Sequence, residues 1–189
     1  INRLGDNALN PETPIKEYKI KVQDENISIL KLETETDIEF HYATEEGEKE
    51  AKDKIKLSVN IEVNDKKVLR INTKTPCIYY DFPLVTTDSF KFPAVINSLS
   101  FSPKTERDGI YLSVAKTYDV NKNKAIFKEA FGLYVQLLDG LIANDFLNVH
   151  FLCELRKINI PEVDNDWYNK QLKSLIETFI DKKVLMNNE

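Results

Sequence analysis

The chain has 189 residues, of which 42% are apolar and 30% charged, and a net charge of −5. That length and balance are enough for a globular core without disulfides or metals, and the negative charge argues against a general nucleic-acid or anionic-membrane surface. No apolar run is long enough to span a bilayer, and the opening residues do not read as a signal peptide, so a cytoplasmic location is expected.

The chain begins Ile1-Asn2-Arg3-Leu4, without methionine, and reads as a piece of a larger protein. Residues 1–13 are polar and carry Gly5, Asn7, Asn10 and Pro11, which reads as a linker. Residues 14–189 are expected to form a single domain, β-rich over 14–120 and helical over 121–187. Tyr18, Ile20 and Val22 alternate with Lys19 and Lys21, and Ile38, Phe40 and Tyr42 alternate with Glu39 and His41. The longest alternation runs through Ile55, Leu57, Val59, Ile61 and Val63. A period of two with one polar face predicts antiparallel strands, half buried and half wet. Asn64-Asp65 predicts a turn, with Val68–Ile71 returning as the hairpin partner. The charged stretch Glu45, Glu46, Glu48, Lys49, Glu50, Lys52, Asp53 reads as a solvated hairpin loop, with an acidic docking patch as the alternative.

From Cys77 to Leu112, aromatic and apolar residues are interrupted by Pro83, Pro93 and Pro103, just after Pro76. Proline removes a ladder donor, so only short strands are expected, at 78–82, 94–96 and 110–114. After Lys122 the period becomes helical. Phe127, Phe131, Tyr134, Leu138 and Leu141 share one face, widened by Ile126, Ala130, Leu133 and Leu137. A helix this apolar is expected to pack under the sheet and against another helix, with close packing compensating for Gly132 and Gly140. Residues 146–157 fit either strand or helix, with helix preferred. A final helix is capped by Asp164 or Asp166, carries Tyr168, Leu172, Leu175, Ile176, Phe179 and Ile180 on its apolar face, and is expected to bury Trp167 against the preceding helix. The fold class is therefore α+β: an antiparallel sheet in the N-terminal half and helices concentrated in the C-terminal third.

The residues that carry chemistry are few. No glycine-rich phosphate loop, metal-ligand spacing or nucleophile elbow is present. His41 and His150 read as surface or rim histidines, because neither has a recognisable nucleophile or orienting carboxylate in sequence. Cys77 and Cys153 read as reduced thiols. The chain is not expected to act as an enzyme by itself.

One segment is distinctive. It contains Phe82-Pro83-Leu84-Val85, then Phe90-Lys91-Phe92-Pro93-Ala94-Val95-Ile96-Asn97-Ser98, then Phe101-Ser102-Pro103, then Glu106-Arg107-Asp108-Gly109-Ile110. This series resembles the region that follows the nucleotide-binding domain in sacsin-like, chaperone-like members of the GHKL ATPase group. Asn123 with the helix after it, and Asp166-Trp167-Tyr168, extend the resemblance over about residues 76–185. The ATP-site elements of the group are absent from this chain. The resemblance therefore implies a middle or transducer segment that docks on an upstream ATP-binding domain of the same protein. ATP and magnesium would be held there and no cofactor here. Protein clients are further candidate partners. In such ATPases the neighbouring domain often supplies a basic side chain to the γ-phosphate. Arg107 is the candidate, with Lys104 second; the competing reading has Arg107 paired with Glu106 or Asp108, or bracing a loop, in a purely structural role. Gly109 is expected to supply a backbone conformation that other residues disfavour. Asn97 is expected to bond loop backbone around Pro93 and Ser98. The alternative to the whole reading is a protein-interaction or scaffold domain unrelated to any ATPase.

Overall fold

The computed structural model describes residues 15–22, 25–180 and 182; the expected linker over 1–13 lies outside them. The fold is α+β. Strands β1 (Lys16–Val22), β2 (Glu25–Thr44), β3 (Gly47–Asn64), β4 (Lys67–Val68), β5 (Ile78–Tyr80), β6 (Phe82–Pro83) and β7 (Val95–Asn97) form one sheet. Helices α1 (Tyr118–Ala143) and α2 (Asn165–Ile180) follow. The sheet order is β1-β2-β3-β7-β5-β6, with β4 also paired to β3.

The hairpin of β2 and β3 is the backbone of the sheet, paired without interruption from Ser28–Val63 to Thr44–Gly47. Its length corrects the expected loop at 45–53. Only Glu45 and Glu46 make the turn, closed by Thr44 Oγ1 donating to Gly47 O at 2.9 Å, and Gly47 has the φ of +123° that glycine tolerates. The charged residues beyond it are strand, because their charges pair across the ladder. Lys52 lies 3.0 Å from Glu39 and 3.8 Å from Asp37, and Lys54 pairs with Glu35. Exposed cross-strand pairs are worth about 0.2–1 kcal/mol each, and several in series hold an arm that buries little. The inner face of the hairpin carries the alternation seen in sequence: Leu30, Leu32, Ile38, Phe40, Ile55, Leu57, Val59 and Ile61 are buried.

Two further expectations about the sheet are corrected and one is refined. The return strand after the Asn64-Asp65 turn pairs only at Lys67 and Val68, with one further bond from Leu69 N to Glu62 O. The expected antiparallel sheet is antiparallel at every strand pairing but one, because β7 inserts between β3 and β5, antiparallel to β3 and parallel to β5. The strand expected at 110–114 is reduced to a single bridge between Pro103 and Ile110. The proline-limited strands β5, β6 and β7 are two or three residues long.

Helix α1 lies against β2 and β3 and also meets α2. It begins at Tyr118, ahead of the expected boundary at 121, because its first turn has its own partners: the Tyr118 ring contacts Phe40 and Tyr42 edge-on at 5.1 and 5.2 Å. The apolar face predicted for it is buried, from Ile126 and Phe127 to Leu141. Gly132 does not have the close packing expected of it: it faces solvent, and a Cβ there would meet nothing within 4 Å. Residues 146–157 are neither strand nor α-helix, but a loop with one 3-10 turn at Val149–Cys153. Asp164 caps α2, its Oδ1 accepting from Trp167 N at 3.1 Å. Trp167 is half-buried, edge-on to Phe127; the fully buried aromatic is its neighbour Tyr168, packed among Phe90, Phe127 and Phe131.

Candidate functional site

The candidate site is the turn that carries Arg107. The chain from Ser102 to Tyr111 folds back on itself. Lys104 N donates to Gly109 O at 2.8 Å, Arg107 N to Lys104 O at 2.9 Å and Tyr111 N to Ser102 O at 3.3 Å. Two mounts hold this loop. On one side, Thr86 of the 3-10 helix Val85–Phe90 donates to Asp108 O from both N (2.9 Å) and Oγ1 (2.8 Å). On the other, Asn123 of α1 reads the loop backbone with both ends of its amide. Its Oδ1 accepts from Ser102 N at 2.8 Å, and its Nδ2 donates to Ser102 O at 2.9 Å and Tyr111 O at 2.8 Å. Asn123 is fully buried, so its amide depends on these three bonds in place of water.

The left-handed residue of the turn is Arg107 itself, with φ of 55°, which corrects the role expected for Gly109. That conformation costs a residue with a Cβ about 1 kcal/mol or more, and the mounted loop holds it in place. Gly109 is needed for space: it is buried, and a Cβ there would stand 3.3 Å from Thr86 Oγ1, the hydroxyl that anchors Asp108. The Arg107 side chain is exposed, with its guanidinium carbon 5.8 Å from the centre of the Phe82 ring. Among the described residues it makes no ion pair, so the expected brace through Glu106 or Asp108 is absent. Glu106 is exposed, and Asp108 Oδ1 is buried without a hydrogen-bond partner. Lys104 is engaged: its ammonium lies 2.7 Å from Glu162 Oε2, and that contact raises its pKa above the ordinary lysine value.

The other sequence candidates lie elsewhere. Asn97 bonds Asp81 rather than the backbone near Pro93 and Ser98; its Oδ1 accepts from Asp81 N at 3.0 Å and steadies the left-handed Asp81 between β5 and β6. Pro93 is half-buried just before β7. His41 is exposed on β2, and His150 packs on Phe151. Cys77 and Cys153 are free thiols. Burial pushes Cys77 up to about 12 and Cys153 up to about 11, so neither offers a thiolate near neutral pH. Among the described residues, no group of three or more His, Cys, Asp or Glu side chains could hold a metal ion.

Thr86 and the clamping role of Asn123 were not singled out from sequence. Asn123 did leave a signal: it stands four residues before Phe127, an amide on an otherwise apolar helix face, where only a dedicated partner offsets burial. Comparison with known proteins adds no assignment, since no family model, curated protein or solved structure matches the chain significantly. No helix among the described residues is long and apolar enough to cross a membrane.

Proposed function

We propose that this chain is a non-catalytic middle or transducer domain of a chaperone-like, sacsin-like GHKL ATPase, docking on an upstream ATP-binding domain through the face that carries Arg107. One observation carries the reading. An arginine without an ion pair is held outward, in a left-handed conformation, on a loop fixed by Thr86 and Asn123. Its guanidinium carbon lies 5.8 Å from the Phe82 ring, and two exposed apolar side chains stand on the segments that form and hold the loop. Val85, next to Thr86, is 64% exposed, and Tyr111, with its hydroxyl 3.4 Å from Thr105 Oγ1, is 38% exposed. A cation without an ion pair, with exposed apolar side chains on the same and adjoining segments, suits a surface that closes over an anion, because closure excludes water and strengthens the charge interaction.

In this reading the upstream domain holds ATP and magnesium, and docking brings the Arg107 guanidinium to the γ-phosphate. The guanidinium keeps its charge at any working pH and matches phosphate oxygens in pairs. The chain itself supplies no nucleophile, general base or cofactor. A cytoplasmic site of action belongs to the same proposal and fits the two free thiols. The test uses the intact protein with a cysteine probe at Val85 (Val85→Cys, fluorophore-labelled). A non-hydrolysable ATP analogue should shield the probe and blue-shift its emission, relative to the nucleotide-free protein. Unchanged emission with the nucleotide site saturated would overturn the docking proposal.

The scaffold alternative draws on a different face. Tyr18, Ile20, Ile27, Ile29 and Tyr79 are half-buried on the side of the sheet away from α1. It gains if the labelled probe stays silent while a partner protein protects that face from hydrogen exchange.

A further inference from the structure

A cleft of about 480 Å³ opens between the irregular segment 69–75, the end of the 3-10 helix Val85–Phe90 and the chain around Val149–Cys153. That volume falls within the usual range of small-molecule sites, about 300–1,000 Å³. Its floor is apolar and buried, formed by Cys77, Phe92 and Leu152. Three cationic side chains line it, from segments far apart in sequence: Arg70, Lys91 and Arg156. Two carboxylates face them, Asp88 and Glu154.

The charges are not equivalent. Arg70 pairs with Glu154 and stacks over Phe151 at 4.1 Å, which neutralises that carboxylate and fixes one wall. Lys91 donates to Thr73 O at 3.2 Å and retains further N–H donors. Arg156 makes no ion pair among the described residues and keeps all five of its N–H donors for an incoming group. With the Arg70–Glu154 pair set aside, Lys91 and Arg156 outweigh Asp88, on a chain whose overall charge is −5. A local positive surplus over an apolar floor is a specific combination: the floor rewards an apolar body, and the cations reward an anionic head at one end of it.

We propose that this cleft is a binding site for a small ligand that joins an anionic head group, carboxylate or phosphate, to an apolar body. The head lies between Lys91 and Arg156, and the body lies over Phe92 and Leu152. The site is separate from the Arg107 turn, and the inference does not depend on the docking proposal.

The probe is phenyl phosphate, titrated into the 189-residue chain and followed by two-dimensional amide NMR. Shift changes should concentrate at residues 69–75, 88–93 and 151–156. Inorganic phosphate and benzyl alcohol, each carrying half of the chemistry, should bind at least about tenfold more weakly. The double variant Lys91→Gln/Arg156→Gln should also lose about tenfold in affinity for phenyl phosphate. Both side chains are exposed, so the variant should keep the parent spectrum away from the cleft. Three outcomes would overturn the proposal: shifts located elsewhere, phosphate alone binding as well as phenyl phosphate, or an unchanged affinity in the double variant.

Discussion

At the scale of single residues, two polar side chains with several partners each stand out, one buried and one on the outer face of the sheet. Asn123 is the first. It has no exposed surface, and its three hydrogen bonds all go to the backbone of the loop that carries Arg107. Asn123→Ala leaves two backbone groups, Ser102 N and Tyr111 O, without partners and removes one of the two bonds to Ser102 O, at about 1 kcal/mol each, so a loss of about 2–3 kcal/mol in chemical denaturation is expected. A loss below about 1 kcal/mol would mean that the loop holds its shape without the clamp. Glu33 is the second. Hydrogen bonds from Lys16 and Lys31, each at 2.7 Å, hold its carboxyl down at about 2, against an ordinary value of 4.5. A lowered folded-state pKa stabilises the fold above the unfolded value and loses that contribution as pH falls through the folded one. The contribution is therefore present at pH 7 and disappears between about pH 4.5 and 2. With the partial exposure of the lysines discounted, Glu33→Gln should cost about 1 kcal/mol at pH 7 and flatten the stability profile over that acid range. Thermal melts of both proteins between pH 2 and 7 check this; parallel profiles would contradict it.

At the scale of elements, what could be read from sequence depended on whether one physical pattern acted alone. The inner face of β3 was legible because polar residues alternate strictly with Ile55, Leu57, Val59 and Ile61. The first half of β2 was not, because Ile27 and Ile29 point to the outer face while Leu30 and Leu32 point inward, which erases the period of two. The arm at 45–53 was hidden for the opposite reason: its strands are held by cross-strand charge pairs, and a charged run without apolar spacing looks like a loop. Helix α1 and the Asp164 cap of α2 were legible from periodicity and cap chemistry. Gly132 was misread. It lies mid-helix on the solvent side with open space around its Cα, so glycine there carries its backbone cost without a packing return. Gly132→Ala should raise stability by up to about 1 kcal/mol, seen as a higher Tm with unchanged spectra. A lower Tm would show that a partner approaches the helix at this point.

At the scale of the whole molecule, the α+β class follows from the switch of period along the chain, but the site does not follow from any one element. The Arg107 turn exists because three distant pieces meet: Thr86 from a 3-10 helix, Asn123 from α1, and the loop itself. The resemblance, carried by Glu106-Arg107-Asp108-Gly109 among other pieces, pointed to Arg107, and the special backbone conformation was expected at the glycine. The structure gives that conformation to the arginine and leaves the side chain without an ion partner. Non-local hydrogen bonds of this kind leave no periodic trace, which is why Thr86 was invisible in sequence, while Asn123 showed only as an amide out of place on an apolar helix face.

The docking account stands or falls on Arg107→Ala in the intact protein, with ATP turnover measured beside the thermal stability of the 189-residue chain. A side chain that meets phosphate only on closure acts on the transition state more than on the ground state. The account predicts that kcat falls by at least about tenfold, with ATP affinity and the Tm of the chain nearly unchanged, since the substitution removes no ion pair and only the 5.8 Å contact with the Phe82 ring. A lower Tm, with turnover falling only in proportion to the folded protein, would contradict it and make Arg107 a structural residue.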